Sequence, residues 1–529
     1  MGVYLNPSAE DFRESLNSRI YVDKSELIKC TNSLISTKQK YMCISRPRRF
    51  GKTMAAGMLS AYYNHQLEAD GLFLDLKIAK DPSYAEHKNK YNVLMLNMHD
   101  FLSRTKTVQE MKSKLERRII HDILDEYPDI GYYNTDDLVE TMNDVHRKTG
   151  RQFIIIIDEW DCLFREHEDR PGDHREYLDF LRAWLKDKTY VALCYMTGIL
   201  PIKKYGRHSA LNMFSEYSMT SPKELARHFG FTETEVVDLC QTHKMPFDEV
   251  KAWYDGYLLH DMPNDEVYSI YSPKSVVDAL MHKNIENYWS QTETYEALKI
   301  YIQMNYDGLK DAVVTMLAGG SVEINTRSFT NDMTTFDTKD DVLTLLVHLG
   351  YLSFDPVGSC VSIPNREVSD EYVTSISIIG WHEVMRQVKS ADKLLRSLWD
   401  MDADAVARSI DEAHNEVSIL QYNDENALSY VINLAFFTAR EYYSVIRELP
   451  SGKGFADICF LPRAKFADKP AILIELKWDK SVEGALKQIK DKEYTGALDA
   501  YKANLLLVGI NYDRNKKSHE CEIELYGDC

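Results

Sequence analysis

Three short apolar runs, and the helical periods between them, set the architecture of the first half of the chain. Tyr41-Met-Cys-Ile44, Phe153-Ile-Ile-Ile-Ile157 and Val191-Ala-Leu-Cys-Tyr-Met196 are almost unbroken apolar segments, the pattern of parallel strands buried on both faces. Residues 54–63 read as a glycine-poor helix, and residues 177–186 place apolar side chains at helical spacing. Strand and helix patterns alternate up to about residue 215, the βα rhythm of a parallel sheet with helices on both faces.

Beyond residue 220 the pattern turns mostly helical. Ser221-Pro-Lys-Glu224 and Phe231-Thr-Glu-Thr-Glu235 read as helix starts. Residues 342–348 form an amphipathic helix stopped by Gly350, and residues 351–354 and 360–363 read as a hairpin. From residue 426 a helical run to residue 443 is followed by strands at 445–449, 455–461 and 471–478. A glycine-rich turn, Ser451-Gly-Lys-Gly454, separates the first two. A helix carrying Gln488 and Tyr494 and a final strand at 504–510 give the order α-β-β-β-α-β. The division expected is 1–220, a parallel-sheet domain; 221–405, a mostly helical lid or spacer; and 406–529, a smaller α/β domain.

The loop between the first strand and helix carries the sharpest chemistry. Ser45-Arg-Pro-Arg-Arg-Phe-Gly-Lys-Thr53 ends as a phosphate-binding loop does, in Gly51, Lys52 and Thr53. There the backbone cradles phosphates, the lysine reaches the β/γ oxygens and the hydroxyl takes Mg²⁺. Arg46 stands where the first glycine of G-x-x-x-x-G-K-[ST] would be. A helix starting at Gly51 would aim its free N–H groups at the phosphates. The run 153–157 then ends in Asp158-Glu159-Trp160-Asp161. An acid at a central strand tip supports Mg²⁺, and the next acid is placed to polarise the attacking water. Thr197, closing the run 191–196, is a candidate γ-phosphate sensor, although a Thr-Gly turn also ends ordinary strands. Arg207 is a candidate arginine finger, with Arg46, Arg48 and Arg49 as rivals; any of them is equally readable as surface charge.

Size and composition add bounds. A chain of 529 residues exceeds what one core organises. No run of 18 apolar residues and no signal-peptide pattern occurs, so a soluble, cytoplasmic protein without a membrane partner is expected. The nine cysteines form no C-x-x-C pair, which leaves no zinc site or disulfide framework to propose. The net charge of −19 argues against non-specific coating of nucleic acid. Residues 447–529 hold 14 basic and 14 acidic residues, so the whole excess lies before them, 49 basic against 68 acidic. The tail can meet a polyanion without that repulsion.

Tyr21-Val-Asp-Lys-Ser25, the Arg-Pro-Arg-Arg-Phe-Gly-Lys-Thr loop, the Ile-Asp-Glu-Trp-Asp strand end and Thr197-Gly198 together resemble the prokaryotic AAA-ATPase-like family. Phe229-Gly-Phe-Thr-Glu-Thr-Glu235 and Tyr254-Asp-Gly-Tyr257 extend the resemblance over roughly residues 1–290. It implies a P-loop fold that takes ATP and Mg²⁺. Arg46, Pro47, Arg48, Arg49, Phe50, Gly51, Lys52 and Thr53 would form the nucleotide loop, and Asp158 and Thr197 would contact the same ligand. Thr53 and Asp158 would be its metal ligands and Glu159 its catalytic acid. In this family the arginine at the first glycine position is a normal trait.

The tail holds a second constellation. Asp457 sits on one strand and Glu475-Leu-Lys477 on the next. Residues two apart in a strand share a face, so Glu475 and Lys477 point together. Two carboxylates suit Mg²⁺ or Mn²⁺, which polarises a phosphodiester and activates water, with the lysine stabilising developing charge. Glu425 would add a carboxylate from the preceding helix. The plainer alternative is a structural Glu475–Lys477 ion pair, although burying charge in an apolar strand is costly unless paired or functional. Arg447-Glu-Leu-Pro-Ser-Gly-Lys-Gly-Phe-Ala-Asp457 and Ile474-Glu-Leu-Lys477 resemble the PD-(D/E)XK nuclease superfamily, over roughly residues 410–525. That implies a restriction-endonuclease-like α/β domain with Asp457, Glu475 and Lys477 catalytic and the two acids on the metal. Gln488 and Tyr494 fall where a nucleic-acid-contacting helix would lie, with a spacing that departs from Q-x-x-x-Y.

Two functions follow from these patterns. One is an ATPase whose C-terminal metal site cleaves nucleic acid, DNA favoured over RNA. The other is a nucleotide-gated switch or scaffold whose nuclease-like fold binds nucleic acid or protein without cutting. An ATPase whose tail assists self-assembly is a third, and a homo-oligomer stays open.

Overall fold

The computed structural model describes residues 2–526 apart from 68–69, 203–210, 290–294, 305, 331–335, 380, 417–427, 429–430, 433–434, 452–453, 464–465 and 492–497. Arg207, Glu425 and Tyr494 therefore lie outside the described residues, as do parts of the expected 426–443 helix and 451–454 turn. Among the described residues no helix is long and apolar enough to cross a membrane.

The chain forms two compact units. The first comprises Met1–Met245, Tyr254–Asn284 and Glu323–Val361; the second comprises Pro246–Trp253, Ile285–Val322 and Ser362–Cys529.

In the first unit five strands form one sheet in the order β2-β3-β4-β1-β5: β1 Tyr41–Ser45, β2 Asn92–Asn97, β3 Phe153–Asp158, β4 Val191–Gly198 and β5 Ser215–Tyr217. Every pairing is parallel. The expected runs at 41–44, 153–157 and 191–196 are β1, β3 and β4. Sequence reading left out β2 and β5. Each residue of β1, β3 and β4 is buried, which explains their lack of alternation. Helix Lys52–Tyr63 packs its Ala56, Leu59 and Tyr63 into a core shared with Met42, Ile44, Ile154 and Ile156. The strand order sets β4 between the strand that feeds the phosphate loop and the strand that ends in acids.

The stretch expected to be mostly helical also holds small sheets. Strands β6 Phe231–Thr232, β7 Tyr257–Asp261 and β8 Glu266–Tyr271 pair in the order β6-β8-β7. The short β9 Val322–Glu323, β10 Ser353–Asp355 and β11 Cys360–Ser362 pair as β10-β11-β9, which includes the expected hairpin. The Phe231 start is a helix, Glu233–His243, opened by a Thr232–Glu235 capping box. The Ser221 start yields only one 3-10 turn, Lys223–Leu225. Helix Lys339–Leu349 ends at Gly350 in the left-handed region, φ 88°.

In the second unit β12 Tyr443–Ser451, β13 Gly454–Pro462, β14 Ala471–Trp478, β15 Leu505–Asp513 and β16 Ser518–Leu525 form a mixed sheet in chain order. Only β14 and β15 run parallel. The sequence reading was one strand short, because β16 is half-buried along its length apart from the buried His519 and its sequence holds no apolar run. Alternation divides the sheet's faces. Ile472, Ile474 and Leu476 join a core with Leu395, Val406 and Ile410, while Ala471 and Leu473 join one with Leu486 and Ile489 of helix Val482–Asp491.

Candidate functional sites

In the first unit the loop turns on two residues in the left-handed region, Arg49 at φ 67° and Gly51 at φ 87°. A Cβ at Gly51 would meet nothing within 4 Å, so glycine is wanted there for its backbone and not for space. Lys52 opens the helix and is 5% exposed. Its Nζ donates to the carbonyls of Arg46 and Pro47, 2.9 Å each. Burial pulls the ammonium below its usual range, while Glu159, Asp158 and Asp161 hold it up. A lysine resting on loop carbonyls is a charge ready to exchange weak acceptors for phosphate oxygens.

The acids meet that loop. Thr53 Oγ1 donates to Asp158 Oδ2 at 2.7 Å, and Thr197 Oγ1 donates to Asp158 Oδ1. The Glu159 amide, 3.0 Å away, uses the same Oδ1. Asp158 is 1% exposed and Thr197 fully buried, so three donors compensate the desolvated carboxylate. Thr197, the candidate γ-phosphate sensor, has its hydroxyl on Asp158. Glu159 holds φ 53°, a conformation costly for a non-glycine residue, and lines the cavity described below.

Arg46, expected among the nucleotide contacts, is buried and held by internal partners. Its amide donates to Gly198 O at 3.1 Å, and Nη1 donates to Ser45 O at 2.9 Å and Tyr217 O at 2.8 Å. The guanidinium also lies 5.4 Å from the Phe229 ring centroid. It is an internal brace that fastens the front of the loop to β4 and β5. Phe50 is likewise buried, with Tyr257 edge-on at 5.3 Å and its carbonyl taking the Gly230 amide. Sequence reading missed these anchors because, Ser45 apart, they come from residues far along the chain, such as Tyr217, 171 positions away.

A cavity of about 930 Å³ opens beside the loop, within the range for a small-ligand pocket. Arg48, Arg49, Lys52 and Thr53 line one part, with Arg19, Lys24 and Lys274, while Ile20, Phe231, Val277 and Met281 supply apolar wall. Among the described residues Glu159 is the sole acid in that lining. An apolar, cation-rimmed cavity inside an acidic chain fits a base joined to a polyphosphate.

In the second unit Asp457 marks where β13 and β14 part. Cα pairing of β13 with β14 runs from Phe460↔Ile472 to Ile458↔Ile474 and stops. One residue on, Asp457 Oδ2 takes the Leu476 amide at 2.7 Å. Its carboxylate thus replaces a ladder bond and is fixed at the opening between the strands. Glu475 is 1% exposed, and its Oε1 accepts from Lys477 Nζ at 3.0 Å and from Gln488 of the overlying helix. Lys477 Nζ also donates to Leu476 O at 3.0 Å. Gly509 lies opposite Glu475 in the register, and a Cβ there would approach the Val482 carbonyl to 3.0 Å. The missing side chain lets the helix sit low enough for Gln488 to reach the acid. Among the described residues no three His, Cys, Asp or Glu side chains cluster as a metal cage. Two carboxylates at a strand opening fit Mg²⁺, which keeps waters and completes its shell with substrate oxygens.

Residues 9–206 match the family model described as a predicted AAA-ATPase, and residues 424–522 match that of the PD-(D/E)XK nuclease superfamily. The chain joins an AAA-ATPase-like domain to a PD-(D/E)XK nuclease-superfamily domain. A curated protein of Azotobacter chroococcum mcd 1, described as an uncharacterized protein in the vnfD 5' region, is 25% identical over 282 residues. That match covers 52% of this chain and 51% of the relative, so the chain matches about half the relative's length. Among solved structures, Cdc6p of Pyrobaculum aerophilum is 9% identical, covering 71% of this chain and 99% of its own, with a TM-score of 0.26. The ORC1 protein of Aeropyrum pernix, solved in complex with DNA, is 12% identical over 70% of this chain and 97% of its own, with a TM-score of 0.25. At these scores neither structure assigns a fold or a ligand to this chain.

Proposed function

We propose that the AAA-ATPase-like domain binds and hydrolyses ATP with Mg²⁺, and that the C-terminal domain is a Mg²⁺- or Mn²⁺-dependent nuclease, with DNA the favoured substrate. The observation that carries the first half is the convergence of Lys52, Thr53 and Asp158 beside a cavity rimmed by cations. Lys52 exchanges its loop carbonyls for phosphate oxygens. Thr53 and Asp158 hold the metal, which neutralises charge on the transferred phosphoryl. Glu159, at the cavity wall, orients water. Arg48 and Arg49, both exposed at the loop, add charge at the mouth.

For the second half, Asp457 and Glu475 hold the metal, which supplies polarisation of the phosphodiester and a more acidic water. Lys477 is fixed by Glu475 and Leu476 O so that its ammonium lies beside the acid, where it stabilises charge or positions the nucleophile.

One observation favours the alternative of binding without cleavage: Glu475 Oε1 already accepts from both Lys477 and Gln488. The deciding experiment is cleavage of labelled single- and double-stranded DNA and RNA with Mg²⁺ or Mn²⁺, with and without ATP, beside Asp457→Ala. Cleavage abolished by Asp457→Ala establishes the nuclease and shows whether nucleotide gates it. Sustained ATP turnover with no cleavage of any substrate, and retained binding, establishes the switch.

A further inference from the structure

The carboxylate assigned to orient water is held by an ion pair. Arg165 Nη2 bonds Glu159 Oε2, and Arg165 Nε lies 3.3 Å from Asp161 Oδ2. The arginine is 11% exposed and Asp161 not at all. Asp161 is itself immobilised, because Oδ2 takes the amides of Ile199 at 3.0 Å and Leu200 at 2.8 Å. Those amides follow β4, whose Thr197 bonds Asp158 and whose Thr197 carbonyl takes the Trp160 amide at 3.1 Å. A continuous chain of polar contacts thus runs from the turn after β4 through Asp161 and Arg165 to Glu159. Burial disfavours the guanidinium, yet Asp161 and Glu159 raise it above the ordinary arginine value, so it stays a cation wedged between two acids.

The geometry points to Arg165 as the positioning residue of Glu159, with Asp161 relaying the position of the β4 turn to it; this rests on the assignment of Glu159 as the water-orienting group. A flexible glutamate in a left-handed turn has many side-chain orientations, and a two-pronged arginine clamped on a fixed acid selects one. The device also explains the φ of 53° at Glu159. That turn brings residue 159 back over the short helix Cys162–Glu166, where Arg165 waits.

The test uses the full chain and steady-state ATP hydrolysis. Arg165→Gln lowers kcat about tenfold or more while KM and nucleotide affinity stay within about twofold, since only an interaction used in the chemical step is lost. Arg165→Lys recovers part of that loss by restoring one charged contact. In a Glu159→Gln background Arg165→Gln has no further effect, because residues acting through one another are non-additive. Full turnover in Arg165→Gln, or additive losses in the double variant, overturns the positioning role while leaving Glu159 in place. Full turnover in Glu159→Gln alone removes the assignment beneath it. If Arg165→Gln fails to fold, Arg165→Lys carries the comparison: a kcat unchanged by Arg165→Lys beside an intact Glu159, or a loss that adds in full to that of Glu159→Gln, is then the refuting result.

Discussion

The Thr53 hydroxyl donates to Asp158 across 2.7 Å, joining the end of the phosphate loop to the tip of a strand two places away in the sheet. Two functions are therefore separable at adjacent loop residues. Thr53→Val should leave nucleotide affinity without Mg²⁺ nearly unchanged and remove most of the gain that Mg²⁺ gives. Lys52→Ala should weaken binding about a hundredfold with or without the metal, in proportion to a lost charge-assisted contact. Titration of a fluorescent ATP analogue, with and without Mg²⁺, checks both.

Arg46 was legible as an oddity and illegible as a brace. Nothing near it in sequence reveals that Tyr217 O and Gly198 O would be its partners, since tertiary pairing across the sheet decides that. By contrast β1, β3 and β4 were readable because strands buried on both faces are apolar throughout. Strand β16, with half-exposed residues, gave no such run. In the second site the spacing puts Glu475 and Lys477 on one strand face and offers Asp457 and Gln488 as candidates. The bond of Gln488 to Glu475 depends on the close approach allowed at Gly509, a contact between helix and sheet that spacing does not encode.

Arg46→Met should therefore destabilise the first unit by about 2–4 kcal/mol, through the carbonyls of Ser45 and Tyr217 left without a donor. Urea midpoints read the loss. Nucleotide affinity at low temperature should change little. A collapse of affinity at unchanged stability would return Arg46 to the ligand's own contacts.

Gly198 has no room for a side chain. A Cβ there would come within 2.6 Å of Asp161 Oδ1 and 2.7 Å of the Trp160 indole. Gly198→Ala should cost about 1–3 kcal/mol by overpacking and lower the melting temperature. Because it also pushes Asp161, kcat should fall more than affinity does.

Burial, reinforced by Lys24, Arg227, Arg46 and Lys77, pulls His228 down to about 3 from an ordinary 6.5. The folded chain therefore keeps this imidazole neutral while the unfolded chain binds a proton. Between about pH 6.5 and 3 the unfolded state holds the extra proton, so stability falls as pH falls, by up to about 1.4 kcal/mol per pH unit. Above that window the group contributes nothing. His228→Gln should flatten the stability profile by one proton's slope, read by urea unfolding at a series of pH values. An unchanged slope would mean that the histidine is protonated in the folded chain.

The bond from the Leu476 amide to Asp457 gives one carboxyl group two duties, since it stops a strand ladder as well as facing the nuclease-type site. Loss of charge and loss of shape are then different events at this position. Asparagine keeps an oxygen for the amide and surrenders the negative charge, whereas alanine lets the two strands zip further and narrows the opening itself. If the proposed cleavage is this domain's activity, a descendant that abandoned cutting yet still gripped its ligand would be recognisable by asparagine at 457, and one that had lost the groove altogether by a small apolar residue there.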